Sequence, residues 1–303
     1  MSVRLALCDS ASIAEHAPSL LALERTISYP LGDGRERFVI DHGEDYHRFF
    51  SSMGDAKFLL ALEGSTVVGV LVGVLKQARF EGRSIETAYL CDYKLAESHR
   101  GAGLGARMLR DALILCAKHR ELRRWRFAYG AAMRGARGDV LRSAKSALHP
   151  ARLASGFAVL RLYFVEPDAL FAIEPDSCPS HNESALELSP TAGGDELGLV
   201  STEGRKDLRL VSTGARWPLV HATAPPSAWG PSLGHYLRSC GAGLVARGDR
   251  SLVCFALDER MVAHRKWLAD RAIHSDTACT VYGLSLPGGP RKGAVVHLAT
   301  SEI

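Results

Sequence analysis

The alternation and recurrence of apolar positions along this chain divide it into strands and helices. A short apolar run over 3–7 predicts a strand, with Asp9 and Ser10 placed to cap a helix over 11–24. A second helix is expected over 44–52. Two β-branched, apolar runs, 57–63 and 66–77, flank Gly64-Ser65 and predict a hairpin. A third strand follows over 86–95, then a polar turn over 96–101. In the helix expected over 102–119, Leu104, Met108, Leu109, Ala112, Leu113 and Cys116 return at helical spacing. Another strand is expected over 124–133. Gly135 to Gly138 break it, a weaker helix starts at Asp139 and is interrupted at Pro150, and 158–165 is strand again. This order of elements is that of a layered α+β (α/β) domain closing near residue 166.

Beyond it, Pro167, Pro175, Pro179 and Pro190 punctuate an acidic stretch of little periodicity, which predicts a linker over 167–195. A second, smaller α+β domain is expected over 196–303. Its elements are a hairpin of 243–246 and 251–257, a helix over 259–273, and strands over 278–286 and 294–300. The segments 59–68 and 244–253 share a cadence. That fits either a degenerate copy of the first domain or the common look of short hairpins. A packed aromatic cluster is expected around Trp217 and Trp229.

A length of 303 residues supports two domains, and 47% hydrophobic against 23% charged residues is an ordinary globular balance. The apolar run 67–75 is far short of a bilayer span, so no membrane association is expected. No secretory signal is legible at the N-terminus, and the expected location is cytoplasmic. Seven widely spaced cysteines without a CxxC pair read as reduced thiols. His221, His235, His264 and His274 show no metal-ligand spacing, so no metal is expected.

Charge changes the picture more than composition does. The net charge is only +4, but residues 100–152 hold 13 Lys or Arg against 3 Asp or Glu, while 166–207 hold 10 acidic against 2 basic. The basic block fits a polyanion site. Nucleic acid is not the expected partner, because the block carries no recognised motif and no interleaved aromatics. A glycine turn inside the block, Arg100-Gly101-Ala102-Gly103-Leu104-Gly105, lies between a strand and an amphipathic helix. There, backbone N-H groups and the helix dipole favour a phosphate. The spacing is neither GxGxxG nor that of a phosphate loop.

The turn is similar to the Gln/Arg-x-x-Gly-x-Gly/Ala signature of the GNAT acyltransferases, in the expected context of hairpin, long strand and helix. The preceding Tyr89-Leu90-Cys91-Asp92-Tyr93-Lys94-Leu95 also resembles that family's strand pattern. The resemblance covers residues 3–166. It implies a mixed, largely antiparallel sheet flanked by helices, and acetyl-CoA or another acyl-CoA as co-substrate. Arg100, Gly101, Ala102, Gly103, Leu104 and Gly105 would hold the pyrophosphate, and backbone groups of Tyr93, Lys94 and Leu95 the pantetheine arm. The implied reaction is N-acetylation of a small-molecule or protein amine by direct attack on the thioester. The alternative is a non-catalytic acyl-CoA-binding module.

Asp92 stands where many members keep an acid. Cys91 stands where polyamine-acetylating relatives often keep Glu. Many members also place a tyrosine four residues before a Gly-Phe pair as general acid, and before Gly156-Phe157 that position is Arg152. Tyr129 and Tyr163 are the substitute candidates for that acid. Strand alternation groups Tyr89, Cys91 and Tyr93 on one face and Leu90 and Asp92 on the other, unless a bulge changes the parity.

Overall fold

The structure is a computed structural model that describes residues 3–31, 36–134, 150–174, 178–179, 185–190, 193–223 and 231–303. The glycine break at 135–138, the helix expected from 139 and Trp229 lie outside the described residues.

In the first half, β1 (Arg4–Cys8) leads through a 3-10 turn into α1 (Ala17–Arg25). Two short strands, β2 (Ser28–Leu31) and β3 (Glu36–Asp41), precede α2 (Tyr46–Ser51). The hairpin read from Gly64-Ser65 is β4 (Asp55–Glu63) with β5 (Thr66–Phe80). It is followed by β6 (Arg83–Leu95), α3 (Leu104–Lys118), β7 (Phe127–Met133) and β8 (Ser155–Val165). The pair β2 and β3 was not expected. Pro30 argues against a central strand, and β2 is indeed the edge of its sheet, where a missing N-H is tolerated.

The second half contains α4 (Pro167–Phe171), β9 (Ala185–Glu187), β10 (Leu199–Val200), β11 (Asp207–Leu210) and β12 (Leu219–Ala222). After these come α5 (Leu233–Arg247), β13 (Leu252–Asp258), α6 (Val262–Ala269), β14 (Thr277–Ser285) and β15 (Val295–His297). The hairpin expected at 243–257 is corrected. Residues 243–246 belong to α5, whose Leu233, Leu237, Cys240 and Leu244 form a buried stripe at helical spacing. The cadence shared by 59–68 and 244–253 therefore compares a hairpin with a helix end. The stretch read as a linker over 167–195 contributes α4, packed against α5, and β9, which pairs with β5 and β15 and buries Leu186.

A single 12-stranded sheet runs through both halves in the order β1-β4-β5-β6-β7-β14-β8-β13-β12-β10, with β9 and β15 attached beside it. Most pairs are antiparallel. The exceptions are β6 with β7, β12 with β13, and β15 with β9. The centre of this order reads the same from either end. In each half, a helix of 15 residues (α3 or α5) joins two parallel strands. In each half, the hairpin that should come next is pried open by a strand from the other: β14 lies between β7 and β8, and β8 lies between β13 and β14. The second half is thus a reduced copy of the first, and the two copies exchange a strand.

A second sheet of three strands, β11-β3-β2, also spans the halves, with Asp207 to Leu210 registered on Asp41 to Phe38. No helix among the described residues is long and apolar enough to cross a membrane. All seven cysteines are free thiols.

Candidate active site

The glycine turn forms the entry to α3. Gly101 and Gly103 adopt φ of 82° and 80°, a left-handed conformation that costs an L side chain, and Gly103 is the N-cap with no side-chain cap. The first backbone bond inside the helix runs from Arg107 N to Gly103 O, at 3.0 Å. The amides of Leu104, Gly105 and Ala106 therefore have no helical partner and point out of the N-terminus. No acidic residue lies in the first turn, and Arg100 is held over the turn by its Nε, which donates to the Leu95 carbonyl at 3.1 Å. Gly105 is needed for space: a Cβ there would lie 2.0 Å from the Tyr93 hydroxyl. Residues 100–103 are exposed and are not among the residues that line the cavity described below.

Beside this turn the sheet splits. The parallel strands β6 and β7 are registered only from Thr87 and Phe127 to Tyr89 and Tyr129. Beyond that point β7 continues along β14 and β6 along β5, so the inner edge of β6 from Leu90 onward has no strand partner. Within this free edge the register with β5 slips between Val70 and Val72, where Asp92 adopts φ of 47°. This is a bulge. It settles the parity left open above: Cys91 packs against the core under α1 and α2, and Asp92 reaches α2 on that same side. Tyr93 and Leu95 instead face α3.

Asp92 belongs to a buried ionic cluster. Its carboxylate accepts from the Tyr46 hydroxyl and lies 2.6 Å from Lys94 Nζ. Lys94 Nζ also donates to Glu24, and Glu24 is 2.6 Å from His42 Nδ1. Burial opposes ionisation of Asp92, but the Lys94 charge and the bonds from Lys94 and Tyr46 outweigh it and hold the carboxyl below its ordinary value. Burial likewise opposes the Lys94 ammonium, and the Asp92 and Glu24 carboxylates override it and raise its pKa. Glu24, His42 and Asp92 bring one potential ligand atom each within 4.8 Å of one another. The ammonium of Lys94 already bridges the two carboxylates, so the donor set fits a lysine rather than a metal ion.

The split between β6 and β7 opens into a cavity of about 1000 Å³. Leu109, Leu113 and Cys116 of α3 wall one side of it. Phe49 and Phe50 of α2 wall the other, and Tyr29, Phe38 and Leu208 from the three-stranded sheet roof that side. Tyr129 lines the cavity at the split, stacked on Tyr89 with centroids 4.7 Å apart. Its hydroxyl is buried with no partner among the described residues, and burial pushes its pKa well above the ordinary value. The structure does not bring Tyr163 to this cavity. That ring is stacked on Phe255 in the core of the second half. Of the residues expected to hold the pantetheine arm, Tyr93 lines the cavity, whereas the Lys94 side chain turns away into the ionic cluster.

Sequence reasoning missed several groups on the cavity wall. His42 lines it, tied to Glu24 on α1. Lys206 lines it from the second half. Its ammonium is 4.9 Å from the Phe49 ring centroid and donates to the Ile303 backbone oxygen, and burial pushes its pKa down to about 8. His221 is buried, with Nδ1 2.9 Å from Thr300 Oγ1. Burial, aided by the Lys206 charge, lowers it to about 3, so it stays neutral. One signal was available in the sequence: Glu24 falls on the apolar stripe of its helix with Leu20 and Leu23, and a carboxylate there needs a partner.

A parallel strand pair that splays beside a glycine-capped helix defines the class as a GNAT-type acyltransferase fold. Residues 25–134 match the family model of the acetyltransferase (GNAT) family. A search of curated proteins gave no match. Among solved structures, N-myristoyltransferase of Saccharomyces cerevisiae with bound myristoyl-CoA is similar at 8% identity and a TM-score of 0.54, over 94% of this chain and 79% of that one. A tandem GNAT protein from the clavulanic acid biosynthesis pathway aligns at 12% identity and a TM-score of 0.49, over 96% of this chain and 100% of that one. A putative acetyltransferase from Pyrococcus horikoshii aligns at 12% identity and 0.46, over 96% and 91%. At such identities the likeness is one of fold.

Proposed function

We propose that this protein transfers an acyl group from acyl-CoA to an amine, with N-acetylation by direct attack as the leading case. The observation that carries this reading is the split between β6 and β7, placed beside the glycine turn and opening into the cavity. A pyrophosphate would sit on the free amides of residues 104–106, near Arg100. The pantetheine arm would run along the unpaired edge of β6, taking the backbone bonds that β7 does not make. An amide on that edge would face the developing oxyanion. The acceptor amine would enter under the three-stranded roof. Because its hydroxyl stays protonated and lacks a partner among the described residues, Tyr129 is the group proposed to protonate the departing thiolate.

Asp92 takes a positioning role in this reading. It is held ionised by Lys94 and Tyr46, which leaves it poorly suited to exchange a proton on each turnover. That engagement is also the one feature favouring the alternative, an acyl-CoA-binding module without chemistry. Seven free thiols fit a reducing compartment such as the cytoplasm.

Calorimetric titration with acetyl-CoA tests the reading. Wild-type protein is expected to bind. Gly103→Glu combines a strained left-handed residue with a carboxylate at the anion site and is expected to weaken binding about 100-fold. No binding at millimolar acetyl-CoA, or equal binding by the variant, overturns it. Thiol release in a panel of amines then separates the enzyme from the module.

A further inference from the structure

The transfer reading leaves unassigned the group that deprotonates the acceptor, which arrives as an ammonium. His42 follows β3 and is 2% exposed at the cavity wall. The rings of Tyr46, Phe49 and Phe50 enclose it, with centroids 5.2, 5.2 and 4.9 Å away. Its backbone N-H donates to Glu24 Oε2 at 3.0 Å, and its Nδ1 lies 2.6 Å from Glu24 Oε1. A carboxylate at that distance accepts, so the ring proton sits on Nδ1. The lone pair is therefore on Nε2, which makes no hydrogen bond among the described residues.

Charged and polar groups from several elements surround the ring. Glu24 reaches it from α1, Tyr46 from α2, and Asp92 and Lys94 from β6, while Lys206 stands across Phe49. Tyr46 is neutral, because burial and then the Asp92 and Glu24 charges push its hydroxyl well above the ordinary value.

Resting on the transfer reading, we propose that His42 is the catalytic base and Glu24 its positioning residue. Nε2 takes one proton from the acceptor ammonium. The freed amine attacks the thioester carbonyl carbon, the C–N bond forms, and collapse of the oxyanion breaks the C–S bond. Tyr129 protonates the coenzyme A thiolate and recovers a proton from the second one the amine releases, and the imidazolium returns its proton to water. Glu24 keeps Nε2 in the acceptor tautomer and stabilises the imidazolium.

The test uses the full chain, acetyl-CoA, and whichever of spermidine, L-lysine, tyramine and L-glutamate releases thiol fastest. His42→Ala is expected to lower kcat about 100-fold or more while acetyl-CoA affinity stays at the wild-type value; its Tm falls, because a buried ring bonded to Glu24 is lost. Glu24→Gln removes the carboxylate that fixes the ring, so nitrogen-15 spectra of that variant are expected to show a mixture of the two tautomers. Nitrogen-15 spectra of wild-type protein near pH ~8 should show His42 as the Nδ1-H tautomer, a readout independent of turnover. An Nε2-H tautomer, or His42→Ala within about threefold of wild-type kcat, overturns the proposal. A wild-type protein that neither binds acetyl-CoA nor releases thiol fails the transfer reading itself, and the His42 proposal falls with it. Binding and turnover with an indifferent His42 overturn the base alone.

Discussion

Lys94→Met is expected to destabilise the protein by about 3–5 kcal/mol in urea denaturation at neutral pH. Methionine keeps the length of the side chain and removes its charge. Lys94 is 1% exposed and bridges two carboxylates, Glu24 and Asp92, that are themselves almost fully buried. Losing the cation leaves both nearly buried carboxylates uncompensated. The sign of the pH dependence is the sharper check. In the wild type the Asp92 carboxyl is held below its ordinary 3.8, so the unfolded state binds its proton first. That contribution is present above the unfolded value and is lost as pH falls through the folded one. In the variant the buried carboxylates have no cation, and their pKa values rise above the unfolded values. The deficit of the variant relative to the wild type therefore shrinks as pH falls from neutrality toward ~5. A variant that matches the wild type in both magnitude and slope shows the cluster to be dispensable for stability.

A polypeptide ending at residue 166 is expected not to fold cooperatively, despite containing the glycine turn, the hairpin and α3. Its sheet would lack β14, which fills the gap between β7 and β8 with antiparallel ladders on both sides. It would also lack β11, the partner of β3 over the cavity, and β9, the partner of β5. Phe127, Tyr129 and Phe157, buried beside Cys279 and Val281, would face solvent through the gap. Melting followed by circular dichroism checks this. A sharp two-state transition in the truncated chain would show that the first half closes without its partner. Supplying residues 167–303 in trans is expected to restore the transition.

The parts of the fold legible in the sequence were those in which one period ran unbroken. The hairpin at Gly64-Ser65, the long strand β6 and helix α3 each carry their own signal, and the glycine turn could be placed between them. Helix α5 was hidden because Gly234, Gly241 and Gly243 interrupt its stripe, and Gly248 at its left-handed C-cap reads equally well as the turn of a hairpin. The strand exchange leaves no local trace, since β7 and β14 meet across well over a hundred residues. The bulge at Asp92 depends on one backbone angle. The pairing of Glu24 with His42 spans two elements, and His42 itself lies in Asp41-His42-Gly43-Glu44-Asp45, which has the composition of a loop.

The exchanged strand also sets an order of events during synthesis. When β8 has left the ribosome, the nascent chain holds β7 and β8 with unsatisfied edges toward each other, and the residues of β14 have not yet been translated. Exposed edges of that kind recruit other strands, including those of neighbouring chains. β14 follows β8 by more than a hundred residues, so closure of the first half waits on translation of the second. A trigger-factor-like holdase, or slow dilution in vitro, is expected to matter more for the yield of this protein than for a GNAT domain that closes on its own strands.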